Sequence, residues 1–176
     1  GGGGVFIAQD SEPILSNCVI TDNTSGTGGG GVFIESECHP IFQNCSIINN
    51  ESSDTGGGIR LTSSEIDLIN CTVLGNHANG DGNALWSQVT STWNLVNTII
   101  WGSEIPSIVS NFSTVDTINI DYCDIEGGID AIDNNAIQIN WGTGNINSDP
   151  LFCNADSSDF TLYDNSPCVG TGQDGE

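Results

Sequence analysis

The chain has 176 residues, with one Arg, no Lys and 23 acidic residues, giving a formal net charge of −22. Nucleic acids and anionic membranes are thereby excluded as expected partners, because both need Lys and Arg to neutralise phosphate. No apolar run approaches the roughly 20 residues of a membrane-spanning helix, while 36% apolar residues and 23 Gly suffice for one domain with a narrow core.

The stretch GGGGVFI at residues 1–7 recurs letter for letter at residues 28–34, and the echo continues in step. Pro13 matches Pro40, Asn17 matches Asn44, Cys18 matches Cys45, Ile20 matches Ile47 and Asn23 matches Asn50, every pair 27 residues apart. The array then runs on with small deletions. Its columns are Asn17, Asn44, Asn70, Asn97; Cys18, Cys45, Cys71, Thr98, Cys123; and Ile20, Ile47, Val73, Ile100, Ile125. A fixed period of this length marks one physical unit repeated in tandem.

Within each unit, short runs of Val, Ile, Thr and Phe are punctuated by Gly, Asn, Asp and Ser. These are strand and turn signals, and no window carries apolar residues at helical spacing over three turns. Three short strands and three turns per unit predict a parallel β-helix, whose coils stack at about 4.8 Å. The Asn17 column fits a corner, because Asn tolerates the left-handed conformation and can bond its own amide one coil above. Asn23, Asn50 and Asn76, with Ser103 and Gly128 in register, mark a second corner. The glycine runs at residues 1–4, 28–31 and 56–58 supply positive φ or close backbone approach before the first strand.

On these residues the chain resembles a family. The segments GGGI at 56–59, P-x-L-x-N-C-x-I-x-x-N at 13–23, NTIIWG at 97–102, YCDIEGG at 122–128, GNINSDPLF at 144–152 and DFTLYDNSPCVGTG at 159–172 are similar to those of bacterial right-handed parallel β-helix repeat proteins of the secreted or cell-surface kind. The resemblance implies an all-β, right-handed parallel β-helix (solenoid) of about five coils with a C-terminal cap. The expected division is 1–141 for the coils, with a repeat of about 25–27 residues, and 142–176 for the capping segment of the same domain. The chain begins inside a repeat, as expected of a processed product or a piece of a longer array.

Candidate sites follow from the register. Val5 and Ile7 point inward, so the column Phe6, Phe33, Arg60, Trp86 points outward and forms a ladder suited to sugar rings or to another protein, or one that simply stabilises the stack. Asn154, Asp156 and Asp159 offer oxygen ligands in one loop, which makes calcium the ion the sequence allows; no cofactor is required. Cys153 and Cys168 are the expected disulfide, whereas Cys18, Cys45 and Cys71 alternate with core Ile and point inward as small hydrophobes. Cys38, in a loop, has no assignment, and His39 and His77 are expected as surface residues.

Hydrolysis of a polysaccharide requires paired carboxylates across a cleft. Asp121, Asp124 and Glu126 are the best cluster, yet solvated corner residues explain them equally well. A uronate lyase needs a basic residue, and only Arg60 is available. The expected function is a non-enzymatic module, secreted or on the cell surface, that acts as structural spacer, adhesin or self-assembly unit. Its expected partners are itself, end to end or laterally, or a cell-surface glycan, without membrane insertion. A carbohydrate-active enzyme domain, hydrolase or lyase, is the alternative.

Overall fold

The computed structural model describes residues 1–111, 115–133, 137–154 and 159–175. Three parallel sheets run the length of a solenoid. The first contains Val5–Ile7, Val32–Glu35, Ile59–Thr62, Leu85–Gln88 and Ile108–Ser110. The second contains Ile14–Ser16, Ile41–Gln43, Glu65–Ile69, Thr92–Val96, Asp116–Asp121 and Ile137–Trp141. The third contains Val19–Thr21, Ser46–Ile48, Thr72–Leu74, Ile99–Trp101 and Asp124–Ile125. The chain visits first, second and third sheet in turn, so five coils stack and a sixth strand extends the second sheet.

Each sheet sends alternate residues inward. Val5, Val32, Ile59, Leu85 and Ile108 form one inward column, and Leu15, Phe42, Leu68, Leu95 and Ile120 another. Together with Ile20, Ile47, Val73, Ile100 and Ile125 they make a single continuous core cluster, in which Val5 and Leu15 of the first coil are only partly buried. Cys45, Cys71 and Cys123 are buried in that core, and Cys18 partly so. Burial pushes the thiols of Cys71 and Cys123 up to about 12, so they pack as inert small hydrophobes.

The corners explain the Asn columns. Asn17, Asn44, Asn70 and Asn97 all have φ between 51° and 55°, and Tyr122 continues the column at 53°. At the second corner the left-handed residue lies one position earlier: Asp22, Asn49, Gly75, Gly102 and Gly127. Asn23, Asn50 and Asn76 instead project inward as an amide ladder, in which Asn50 and Asn76 are buried. Beyond that corner, segments with the appearance of loops form a fourth short parallel ribbon, Thr24–Ser25, Glu51–Ser52 and His77–Ala78. A third corner, between first and second sheets, places two successive residues at positive φ: Gln9 and Asp10, Ser36 and Glu37, Val89 and Thr90.

Val89 is a β-branched residue at φ 62° and is 42% exposed. Left-handed backbone costs such a residue about 1–3 kcal/mol, with little burial to compensate. Val89→Asn is therefore expected to raise stability by about 1 kcal/mol, read as a higher urea midpoint at unchanged slope.

The regular parallel pairing ends at Trp141 and a single parallel bridge from Asp124 to Ile146. The chain then forms an antiparallel hairpin, Phe152–Asn154 with Asp159–Leu162, and turns that double back along the solenoid. The Gln173 N–H donates to Asn97 Oδ1 at 2.7 Å across 76 residues of chain.

Candidate functional site

The register brings Phe6, Phe33, Arg60 and Trp86 into one column, as their spacing requires, with Val109 completing it. Phe6 and Phe33 stack with ring centroids 5.5 Å apart. The Arg60 guanidinium lies between two rings, 5.2 Å from the Phe33 centroid and 4.7 Å from that of Trp86. Arg60 Nη1 also donates to Thr27 O at 2.7 Å and meets Asp54 Oδ2 at 3.3 Å. The expectation of an exposed strip holds only at one end. Phe6 is 52% exposed, but Trp86 is 6% exposed and Val109 is buried. The glycine turns entering each first-sheet strand lie against the column: a Cβ at Gly28 would touch Arg60, and one at Gly82 would touch Trp86. Most of the ladder is thus a cation–π stack that pins coils together.

The acidic cluster does not converge on a cleft. Asp124 is buried against the C-terminal turns, where its carboxylate accepts from Cys168 Sγ at 3.0 Å and from the Ser148 N–H at 3.1 Å. Burial raises the Asp124 carboxyl pKa above its ordinary value, opposed by the Cys168 and Ser148 bonds. Asp121 accepts from the Thr143 N–H, and Glu126 from the Gly102 N–H. Each carboxylate holds a backbone segment in place.

The expected Cys153–Cys168 bridge is not formed; both thiols are free. Cys168 turns toward Asp124 and its thiol is pushed up to about 12, first by burial and then by that carboxylate, while the carbonyl of Cys153 accepts from the Tyr163 hydroxyl. Two of the three calcium candidates, Asn154 and Asp159, lie on the strands of the hairpin. Asn154 pairs with Asp159 across the hairpin, and Asp159 Oδ1 is occupied by the Thr161 N–H and hydroxyl, which hold its carboxyl below the usual range. Asp156 lies outside the described residues.

The outward face of the second sheet carries a different constellation. Asp67, Asn94, Asn119 and Asn140 are in register. Asn140 Nδ2 donates to Asn119 Oδ1 and Asn119 Nδ2 to Asn94 Oδ1, both at 2.7 Å. Asn94 Nδ2 donates to both Asp67 Oδ1 and Glu65 Oε1 at 2.8 Å. The neighbouring column is Glu65, Thr92, Thr117 and Gln138. The result is a flat polar face in which each amide is fixed by its neighbours yet keeps donor and acceptor capacity toward solvent.

His39, expected as an unpartnered surface residue, sits beside the acidic end of this face. Its Nε2 is 3.4 Å from Asp67 Oδ2 and 3.7 Å from Glu65 Oε1. The sequence offered one signal for it: Glu65 and Asp67 alternate with inward Ile66 and Leu68, so both point outward one coil from His39. A deletion in that unit shifts the spacing from 27 to 26 and hides the match.

Comparison with known proteins places the solenoid. Residues 1–149 match the family model described as the right handed beta helix region. No curated protein and no solved structure matches the chain.

Proposed function

Because the chain belongs to the right-handed β-helix family, whose fold carries many roles, we propose that it serves as a non-enzymatic extracellular module. In this reading it is a rigid spacer or adhesin that contacts a surface glycan through the polar face of the second sheet. The observation that carries the reading is the chain of amide bonds from Asn140 through Asn119 and Asn94 to Asp67 and Glu65. Such a face is held rigid before any ligand arrives, so little side-chain entropy is lost on binding. It suits a partner rich in hydroxyl groups rather than a phosphate polymer, given the charge of −22.

The enzymatic alternative draws on Asp121, Asp124 and Glu126, all of which are engaged with backbone N–H groups. The self-assembly reading draws on Phe6, the exposed end of the ladder. One set of measurements separates the three. Retention on immobilised glycans should fall about tenfold in Asn94→Ala, Asn119→Ala, as expected from two lost hydrogen bonds of about 0.5–1.5 kcal/mol each, and survive Phe6→Ala. Release of sugar products that is abolished in Asp124→Asn and Glu126→Gln would instead establish catalysis. A concentration-dependent rise in light scattering that Phe6→Ala removes would favour assembly.

A further inference from the structure

His39, Glu65 and Asp67 bring three ligand-type atoms together, one imidazole nitrogen and two carboxylate oxygens, all within 4.8 Å of one another. They come from two successive coils. His39 precedes the strand Ile41–Gln43, whereas Glu65 and Asp67 belong to the strand directly above it. Parallel pairing of Asp67 with Ile41 sets the two coils in register and brings His39, just before that strand, beside Glu65 and Asp67.

Three features point to a cation at their centre. His39 Nε2 is shielded from solvent and has no hydrogen-bond partner, although carboxylate oxygens stand 3.4 and 3.7 Å away. Neither acid accepts a hydrogen bond from the ring, whose contacts with them are ion pairs when the imidazole is protonated. Second, both carboxylates are oriented from outside by one amide, since Asn94 Nδ2 donates to Asp67 Oδ1 and to Glu65 Oε1. That donation leaves Asp67 Oδ2 facing the imidazole, whereas Glu65 Oε1 both accepts from Asn94 and faces the ring. Outer hydrogen bonds of this kind fix metal ligands in position. Third, four-coordinate zinc holds N and O ligands at about 2.0–2.2 Å, which at a tetrahedral angle separates the ligand atoms by about 3.3–3.6 Å. The observed 3.4 Å lies within that range and 3.7 Å just beyond it. Calcium prefers 6–8 oxygen ligands at longer distances and does not select imidazole.

We propose that His39, Glu65 and Asp67 bind a divalent transition cation, with zinc as the fitting case, leaving the fourth position open toward solvent on the sheet face. A net charge of −22 raises the local concentration of cations without choosing among them; the imidazole supplies the choice. The site shares Glu65, Asp67 and Asn94 with the proposed glycan-contacting face, but its test reads the ion alone, so it stands or falls separately from that reading.

The test is zinc titration of the folded chain against a chromophoric chelator, with cobalt as a spectroscopic replacement. A single strong site is expected. It should weaken at least about tenfold in His39→Gln, Glu65→Gln and Asp67→Asn, and by about tenfold in Asn94→Ala, the range seen when outer partners of metal ligands are removed. His77→Gln, altered at an exposed position of the separate fourth ribbon, should leave it unchanged. The Gln and Asn replacements are near-isosteric at partly exposed positions, and far-ultraviolet circular dichroism verifies the fold. Undiminished zinc affinity in His39→Gln would overturn the proposal. So would a sulfur-to-cobalt charge-transfer band, which would move the ion to one of the seven thiols, or equal loss in His77→Gln.

Discussion

Gly57→Ala is expected to lower the unfolding midpoint by about 10 °C, while Gly26→Ala leaves it within a degree or two of the parent. A Cβ at Gly57 would lie well inside contact distance of the carbonyl carbon and oxygen of His77, and 2.5 Å from the oxygen of Asn83. All three are backbone atoms, two at the end of the same coil and one at the start of the next, so no rotamer change relieves the clash. The coils would have to separate locally, breaking bonds such as Gly57 N–H to Gly82 O and Gly58 N–H to Asn83 O. Overpacking of a core typically costs about 1–3 kcal/mol, and a clash with backbone belongs at or above the upper end, about 3–4 kcal/mol. For a domain of this size each kcal/mol shifts the midpoint by about 2–4 °C. Gly26 is exposed, has no atom within 4 Å of its Cβ position and is not in the left-handed region. Alanine there removes only unfolded-state freedom, worth about 0.4–1 kcal/mol in the stabilising direction. The comparison is read by thermal circular dichroism on the two variants. Equal midpoints would show that the glycine run is not there to let coils approach.

The same glycines show which parts of the fold were legible in the sequence. The run GGG is visible as letters, and its use as positive φ or close approach was an open choice. Both occur, divided by position: Gly29 and Gly56 have φ of 63° and 65°, whereas Gly30 and Gly57 sit against the backbone of the next coil. The columns of identical residues were equally legible, because one letter at a fixed spacing reports one environment repeated.

Columns whose chemistry is shared but whose letters differ were not legible. Ser11, Cys38, Ser64, Ser91 and Asp116 form one continuous ladder at the third corner. The Ser11 N–H donates to Cys38 Sγ, the Cys38 N–H to Ser64 Oγ, the Ser64 N–H to Ser91 Oγ and the Ser91 N–H to Asp116 Oδ1. Asp116, a fully buried carboxylate, also accepts from the Ser110 hydroxyl at 2.5 Å. Thiol, hydroxyl and carboxylate all supply an acceptor in the same place, so the column satisfies backbone donors without repeating a residue. This accounts for Cys38, to which the sequence pattern assigns no role. The candidate sites were less legible still, for a geometric reason. Trp86 points outward as alternation requires, but the Arg60 guanidinium and the glycine turn at Gly82 lie against it, and strand period carries no information about them.

Asn50→Leu is expected to cost about 3–5 kcal/mol, the size of effect that follows from stranding several buried polar groups at once. Asn50 Oδ1 accepts from both the N–H and Nδ2 of Asn23, at 3.1 and 3.0 Å. Its Nδ2 donates to Ile20 O and to Asn76 Oδ1, both at 3.0 Å. Leucine has nearly the same volume and greater hydrophobicity, so a packing account predicts little change or a gain. The hydrogen-bond account predicts the reverse. Leucine would leave the Asn23 N–H and the Ile20 carbonyl without their bonds to residue 50, and Asn76 Oδ1 with only the backbone N–H at 50 that also donates to it at 2.9 Å. Buried groups left unsatisfied cost about 1–3 kcal/mol each. Asn50→Asp separates the two halves of the amide: the acceptor is kept for Asn23, but a carboxylate would face Ile20 O and Asn76 Oδ1 with no proton to share. It is expected to be as damaging as leucine at neutral pH and to recover in part as the pH falls and the acid becomes a donor. Asn17→Gly serves as the comparison at the exposed left-handed corner, where φ of 55° suits glycine and only a few tenths of a kcal/mol are expected. Chemical denaturation of the three variants decides between the accounts. A leucine variant as stable as the parent would mean that the buried Asn column fills space and that its amide bonds contribute nothing net.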